Sequence, residues 1–186
     1  YKEDKSYFEK TNLKNKSKKN FNTAQEESLT WRNRTLRFSF EEIDMPDAGE
    51  QMGLYSFGAY DQLNPWFYGG VTLYGAATGR RGGFFTGGYT LGLERQLFNN
   101  LIFDAGGYVG AGGGGAAAQG GGLMIRHHFG LKYDLSWSKL GLNYTYLDFP
   151  NGNISSDAIA LSLDIPFSSL ILNWEDDGLT AADYFG

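Results

Sequence analysis

The stretch IRHHFGLKYDLSW, residues 125–137, has a period of two. Ile125, His127, Phe129, Leu131, Tyr133, Leu135 and Trp137 fall on one side. Arg126, His128, Gly130, Lys132, Asp134 and Ser136 fall on the other. A helix would mix the two sets around its surface, whereas a strand separates them, because successive side chains point to opposite faces. One face is thus apolar and aromatic, and the other is charged or small.

The same division recurs on both sides of this stretch. In 154–165, Asp157, Ile159, Leu161, Leu163 and Ile165 oppose Ser156, Ala158, Ala160, Ser162 and Asp164. In 101–111, Leu101, Phe103, Ala105, Val109 and Ala111 oppose Asp104, Gly106, Tyr108 and Gly110. In 83–95, Phe85, Tyr89, Leu91 and Leu93 oppose Thr86, Gly88, Thr90, Gly92 and Glu94. Strands are expected at 29–43, 50–60, 66–78, 83–97, 101–111, 120–137, 140–149 and 154–165. The breaks carry turn chemistry: MPDAGE at 45–50, DQLNP at 61–65, GRRG at 79–82, Asn99-Asn100, the glycine run near 112–122, Ser138-Lys139 and PNGN at 150–153. Links this short leave no room for crossover helices, so the eight strands form an antiparallel meander.

Composition agrees with a turn-rich β protein. The 186 residues include 27 Gly and 30 aromatics but no Cys. Without cysteine there is no disulfide framework, Cys-ligated zinc or thiol catalysis. The longest uncharged stretch, Ala105–Ile125, has ten glycines in 21 residues and makes a poor transmembrane helix. Residues 1–27 hold seven of the nine lysines and read as a basic, flexible, solvated arm. The rest carries 9 positive against 16 negative residues, which argues against nucleic-acid binding. The expected domains are the arm 1–27, a β-barrel over 28–167 and a C-terminal extension 168–186.

A soluble barrel or sandwich and a membrane barrel both give this alternation. Three features favour the membrane. The polar faces mix charge with Gly, Ala and Ser, as a narrow lumen requires. Only two lysines follow residue 19. Aromatics gather near strand ends (Trp66, Phe67, Tyr68, Trp137, Tyr144, Tyr146, Phe149), as in interfacial girdles. The fold class expected is therefore all-β, an antiparallel up-and-down β-barrel of about eight strands, transmembrane.

On these residues the chain resembles the small outer-membrane β-barrel proteins of Gram-negative bacteria. The resemblance covers residues 29–167 and is one of pattern, not motif. It implies an outer-membrane location and contact with outer-membrane lipid; the role expected is structural or that of an assembly subunit, the alternatives being a lipid-modifying enzyme and a soluble β-barrel binding module. It further implies periplasmic links at 61–65, 99–100 and 138–139, with the others facing outward. Family members end on a terminal aromatic, but here 19 residues follow Phe167. Either this tail is a periplasmic extension, or Ser169–Trp174 is another strand, or the chain is a piece of something longer.

Candidate chemistry is sparse. His127 and His128 point to opposite faces and cannot share one metal ion, so neither a metal nor a cofactor is expected. MIRHHFG (124–130) faintly resembles the His-containing strand of lipid A deacylases, which implies a His paired with a Ser two residues on. Here Phe129 follows His127 at that spacing and Gly130 follows His128. Ser136 lies roughly 26 Å from His128 at about 3.3 Å per residue, beyond hydrogen-bonding reach. The chain is accordingly expected not to be an enzyme.

Glu94, Asp104, Arg126, His128, Lys132, Asp134 and Asp164 form the expected polar cluster of the lumen, where they could neutralise one another. The glycine run lacks the Lys-Ser/Thr of a phosphate-binding loop. Two readings of the run are open: a flexible surface loop, or a packing surface in which Gly112, Gly113, Gly114, Gly115, Gly120, Gly121 and Gly122 let the backbone approach another subunit or another strand closely.

Overall fold

The structure, a computed structural model, describes residues 29–46, 49–80, 82–117 and 120–172. The expected arm 1–27, and the extension from residue 173 onward, lie outside the described residues. Eight strands follow one another: β1 (Leu29–Asp44), β2 (Gln51–Gln62), β3 (Phe67–Thr78), β4 (Phe85–Phe98), β5 (Leu101–Gly113), β6 (Leu123–Asp134), β7 (Lys139–Asp148) and β8 (Ser155–Leu172). Each pairs antiparallel with the next, and β8 lies beside β1, so the sheet is a closed barrel. Closure leaves no edge of unpaired N–H and C=O groups, the condition for crossing hydrocarbon as a sheet. Strands of 10–18 residues are long enough, since about 9–11 tilted residues span a bilayer.

By its contacts the chain divides into two units. One is Asn33–Phe167, which contains the barrel wall described below. The other comprises 1–32 and 168–186, of which the described part is strand at 29–32 and 168–172.

The pleat divides the side chains as the period of two requires. On the outer face Val71, Leu91, Val109, Phe129, Leu142, Ile159 and Leu161 each expose more than half of their surface. A soluble monomer does not leave so large an apolar belt in water, so the wall is built for lipid. Cross-strand aromatic pairs brace it: Phe38 against Phe57 at 5.3 Å, Phe40 against Tyr55 at 5.2 Å and Phe129 against Tyr144 at 5.2 Å between ring centroids. Each adds about 0.5–1.5 kcal/mol beyond the area it covers.

The links differ in length between the two rims. Those at 63–66, 99–100 and 135–138 are two to four residues, whereas 45–50, 79–84, 114–122 and 149–154 are six to nine. Short turns at one end and longer loops at the other are usual for membrane barrels.

Three boundaries differ from the sequence expectation by three residues or more. β6 ends at Asp134, not 137. There the Leu135 N–H donates to the Ser138 carbonyl at 2.8 Å, Ser136 takes a positive φ of 73°, and its N–H donates to Asp134 Oδ1 at 2.8 Å. The chain therefore turns while the apolar alternation continues through Leu135 and Trp137. β6 also begins at Leu123 instead of 120, because the glycines before it belong to the link. Finally, β8 runs on to Leu172, so Ser169–Leu172 continues an existing strand and is not a ninth.

Candidate functional site: the barrel interior

Inward-pointing residues fill the lumen in two layers. Towards the rim with longer links, Ile43, Met52, Leu54, Phe84, Met124, Leu147, Phe149 and Ile154 are fully buried and form an apolar cluster. They come from strand ends and from the links 79–84 and 149–154, which fold inward. Phe84 meets Phe149 edge-on at 5.8 Å.

Beneath it lies a layer of charge. Arg37 on β1 donates to Asp164 on β8 from Nε and Nη2, at 2.7 and 2.9 Å, a bidentate pair. Its Nη1 donates to Tyr68 Oη at 2.9 Å, and Nη2 reaches Glu94 at 3.2 Å. Lys132 Nζ lies 2.8 Å from Asp164 and 3.1 Å from Asp104, and also donates to Glu94. Lys139 Nζ completes the Glu94 shell at 2.6 Å. The Arg37 guanidinium also stacks over Tyr60 and Tyr68, 5.0 and 4.8 Å from the ring centroids.

His128 enters this layer through Tyr68. Tyr68 Oη donates to Asp104 Oδ1 at 2.9 Å, and its oxygen lies 3.1 Å from His128 Nε2. With the single phenol proton committed to Asp104, the Nε2–H is the donor to Tyr68. A second ion pair sits higher in the lumen. Arg126 Nε and Nη2 donate to Glu41 at 2.7 and 3.1 Å, and Thr145 Oγ1 donates to the same carboxylate at 2.6 Å.

The charges balance. Glu41, Glu94, Asp104 and Asp164 face Arg37, Arg126, Lys132 and Lys139. Such a network holds buried ions only because each is paired and hydrogen-bonded. Two small cavities lie between these described side chains. A mid-lumen cavity lined by Arg37, Arg126, His128 and Asn143 measures about 20 Å³, room for one water. Another of about 10 Å³ lies by Thr35, Gln62 and Glu94.

Of the seven residues expected in the lumen, Glu94, Asp104, His128, Lys132 and Asp164 meet in the charged layer, and Arg126 lies above it. Asp134 lies apart, at the rim, where it caps the 135–138 turn. Tyr68 and Phe149, expected in the outer aromatic girdle, instead point into the lumen, 3% and 1% exposed. Arg37 and Glu41 were not singled out in the sequence, and Lys139 was read only as part of a turn. A signal for these charged residues existed. The seven expected residues carry four acids against two permanent cations, and that imbalance asks for partners. Thr35, Arg37, Ser39, Glu41 and Ile43 alternate with Leu36, Phe38 and Phe40 in the same way as the two faces of 83–95, 101–111, 125–137 and 154–165.

Gly112 and Gly113 end β5, and Gly114, Gly115, Gly120, Gly121 and Gly122 lie in the link that follows. Their close approaches fall within the chain. A side chain on Gly114 would strike the Gly83 carbonyl, and one on Gly120 the Asn151 carbonyl. Gly120 also has a φ of +58°. Glycine here lets the described residues of the 114–122 link lie against the 79–84 and 149–154 links.

No family model and no curated protein matches the chain. Among solved structures it is similar to a de novo designed transmembrane β-barrel, with 10% identity and a TM-score of 0.53 over 73% of this chain and 95% of that one. That likeness establishes the fold. Neisserial surface protein A aligns at 12% identity and a TM-score of 0.48, covering 75% of this chain and 99% of that one. The attachment invasion locus protein Ail of Yersinia pestis aligns at 11% and 0.47, covering 74% and 98%.

Proposed function

We propose that the chain is a sealed, non-catalytic outer-membrane β-barrel of a Gram-negative bacterium, with a structural or assembly role and not that of a conduit. One observation carries the reading: among the described residues the lumen holds a neutral ion network beneath an apolar cluster, and the cavity at mid-lumen measures only about 20 Å³. A hydrated ion or solute needs a continuous path of far greater width, and an eight-stranded barrel is just wide enough for its own side chains. The outer-membrane location is supported by the even strand number and by the contrast between short and longer rims.

The non-catalytic part of the reading is supported by the position of His128. It is 6% exposed and faces the lumen, bonded to Tyr68 and beside Asp104, where a lipid ester has no access. The test is reconstitution into a planar bilayer from a folded, heat-modifiable preparation. The expected result is no stable unitary conductance. A steady open channel would overturn the sealed reading.

A further inference from the structure

The outer wall is not uniform. At the short-turn rim, Leu63, Phe67, Leu91, Leu93 and Ala105 line an apolar groove of about 520 Å³ running across β3, β4 and β5. A hydrogen-bonded turn borders the groove at this rim. Asn64 Oδ1 accepts from the N–H groups of Trp66 and Phe67 at 2.9 Å each, and the Glu94 N–H donates to the Trp66 carbonyl at 2.7 Å. Trp66 is thereby fixed against β4 with its indole exposed.

Arg95 points outward from β4 two residues beyond Leu93 and stacks on Trp66, with its guanidinium 5.4 Å from the ring centroid. It has no carboxylate partner among the described residues. A tryptophan and an arginine on a lipid-facing wall mark the level of the headgroups, because there the ring and the charge both find polar surroundings. One face of the guanidinium rests on the indole, leaving its N–H edges free for a bidentate anion.

We propose that Arg95, Trp66 and this groove form a binding site for an anionic phospholipid. The phosphodiester meets the Arg95 edge, and an acyl chain lies in the groove along Leu93, Leu91 and Ala105. The inference rests on the membrane-spanning reading, since only a bilayer brings a lipid to this wall.

The test uses Trp66 as reporter in the full chain, with Trp31, Trp137 and Trp174 replaced by Phe. The protein is reconstituted into equimolar phosphatidylcholine–phosphatidylglycerol vesicles in which one lipid or the other carries brominated chains. Brominated phosphatidylglycerol should be favoured over brominated phosphatidylcholine in quenching Trp66 by about fivefold, the factor one basic residue near an anionic headgroup contributes. Arg95→Gln should bring the ratio close to one. Ala105→Phe, which fills the groove from an outward position, should reduce quenching by both lipids.

Equal quenching by the two lipids in a correctly inserted protein overturns the site and leaves the membrane reading intact. The same anionic preference at Trp137, measured with Trp66 replaced, also overturns it, because the enrichment then belongs to the whole rim. Failure to insert, seen as loss of the heat-modifiable band, overturns both.

Discussion

Replacing Arg37 by Met tests whether the lumen network is dry. Arg37 is 6% exposed and contacts Asp164, Tyr68, Glu94 and Asp104. Removing it leaves three carboxylates around Lys132 and Lys139, one negative charge in excess, and takes two of the three donors from Asp164, which keeps only Lys132. Breaking a buried ion pair from one side costs about 3–5 kcal/mol. Asp164→Asn alone leaves the opposite excess and should fall in a similar range. The double variant restores neutrality, so its loss should fall short of the sum of the singles by more than about 2 kcal/mol, within the range of coupling between groups of one network. Arg34 and Asp61 provide the contrast, since they pair at 2.7 Å with a third of each side chain exposed. Arg34→Met should change stability by less than about 1 kcal/mol. The assay is equilibrium urea unfolding in lipid vesicles, followed by tryptophan fluorescence. Additive losses at Arg37 and Asp164 would refute the reasoning, because water in the lumen would then be screening the charges.

Two substitutions probe the wall and the rim. Leu161→Arg puts a charge on the lipid face, where the side chain is 56% exposed, and should cost about 2–4 kcal/mol near mid-bilayer in the same unfolding assay. Ala160→Arg, inward and 1% exposed, should act by crowding and reduce the yield of the heat-modifiable band; equal tolerance at both sites would reverse the face assignment. Gly120→Ala should push the 114–122 link away from Asn151, costing about 1–3 kcal/mol as backbone strain and speeding proteolysis at that rim. Unchanged cleavage would show that the two links do not hold each other.

The strands and their faces were legible because they depend on neighbours two residues apart. Ile125 to Tyr133, and Asp157 to Leu163, needed only the period of two. The completed network was not legible, because its bonds join distant residues: Arg37 to Asp164 across 127 positions, and Arg126 to Glu41 across 85. No local pattern couples such pairs until the barrel closes. The turn at 135–138 was hidden for a different reason. Leu135 and Trp137 keep the strand's alternation because apolar and aromatic residues also suit the rim, so composition does not mark where the backbone turns. The glycine run announced a close approach but not its partner, which depended on where the 149–154 link lay.

The network also specifies the register of the wall. Shifting any strand by one residue would exchange its inner and outer sets. For β6 that would place Arg126 and Lys132 in lipid, at about 2–4 kcal/mol each near the midplane, and bring Phe129 and Leu131 against the remaining ions. Buried ion pairs are weak evidence for stability, but here each one penalises the alternative pairings. Every strand is held to account in this way. Arg37 of β1 binds Asp164 of β8 and stacks on Tyr60 of β2 and Tyr68 of β3, while Glu94, Asp104, Lys132 and Lys139 bring in β4 to β7. The Arg37–Asp164 pair joins the first strand to the last, the contact that turns a sheet into a ring. The side chains that close the barrel are therefore the ones that fill it, so widening the lumen for transport would remove the bonds that select closure.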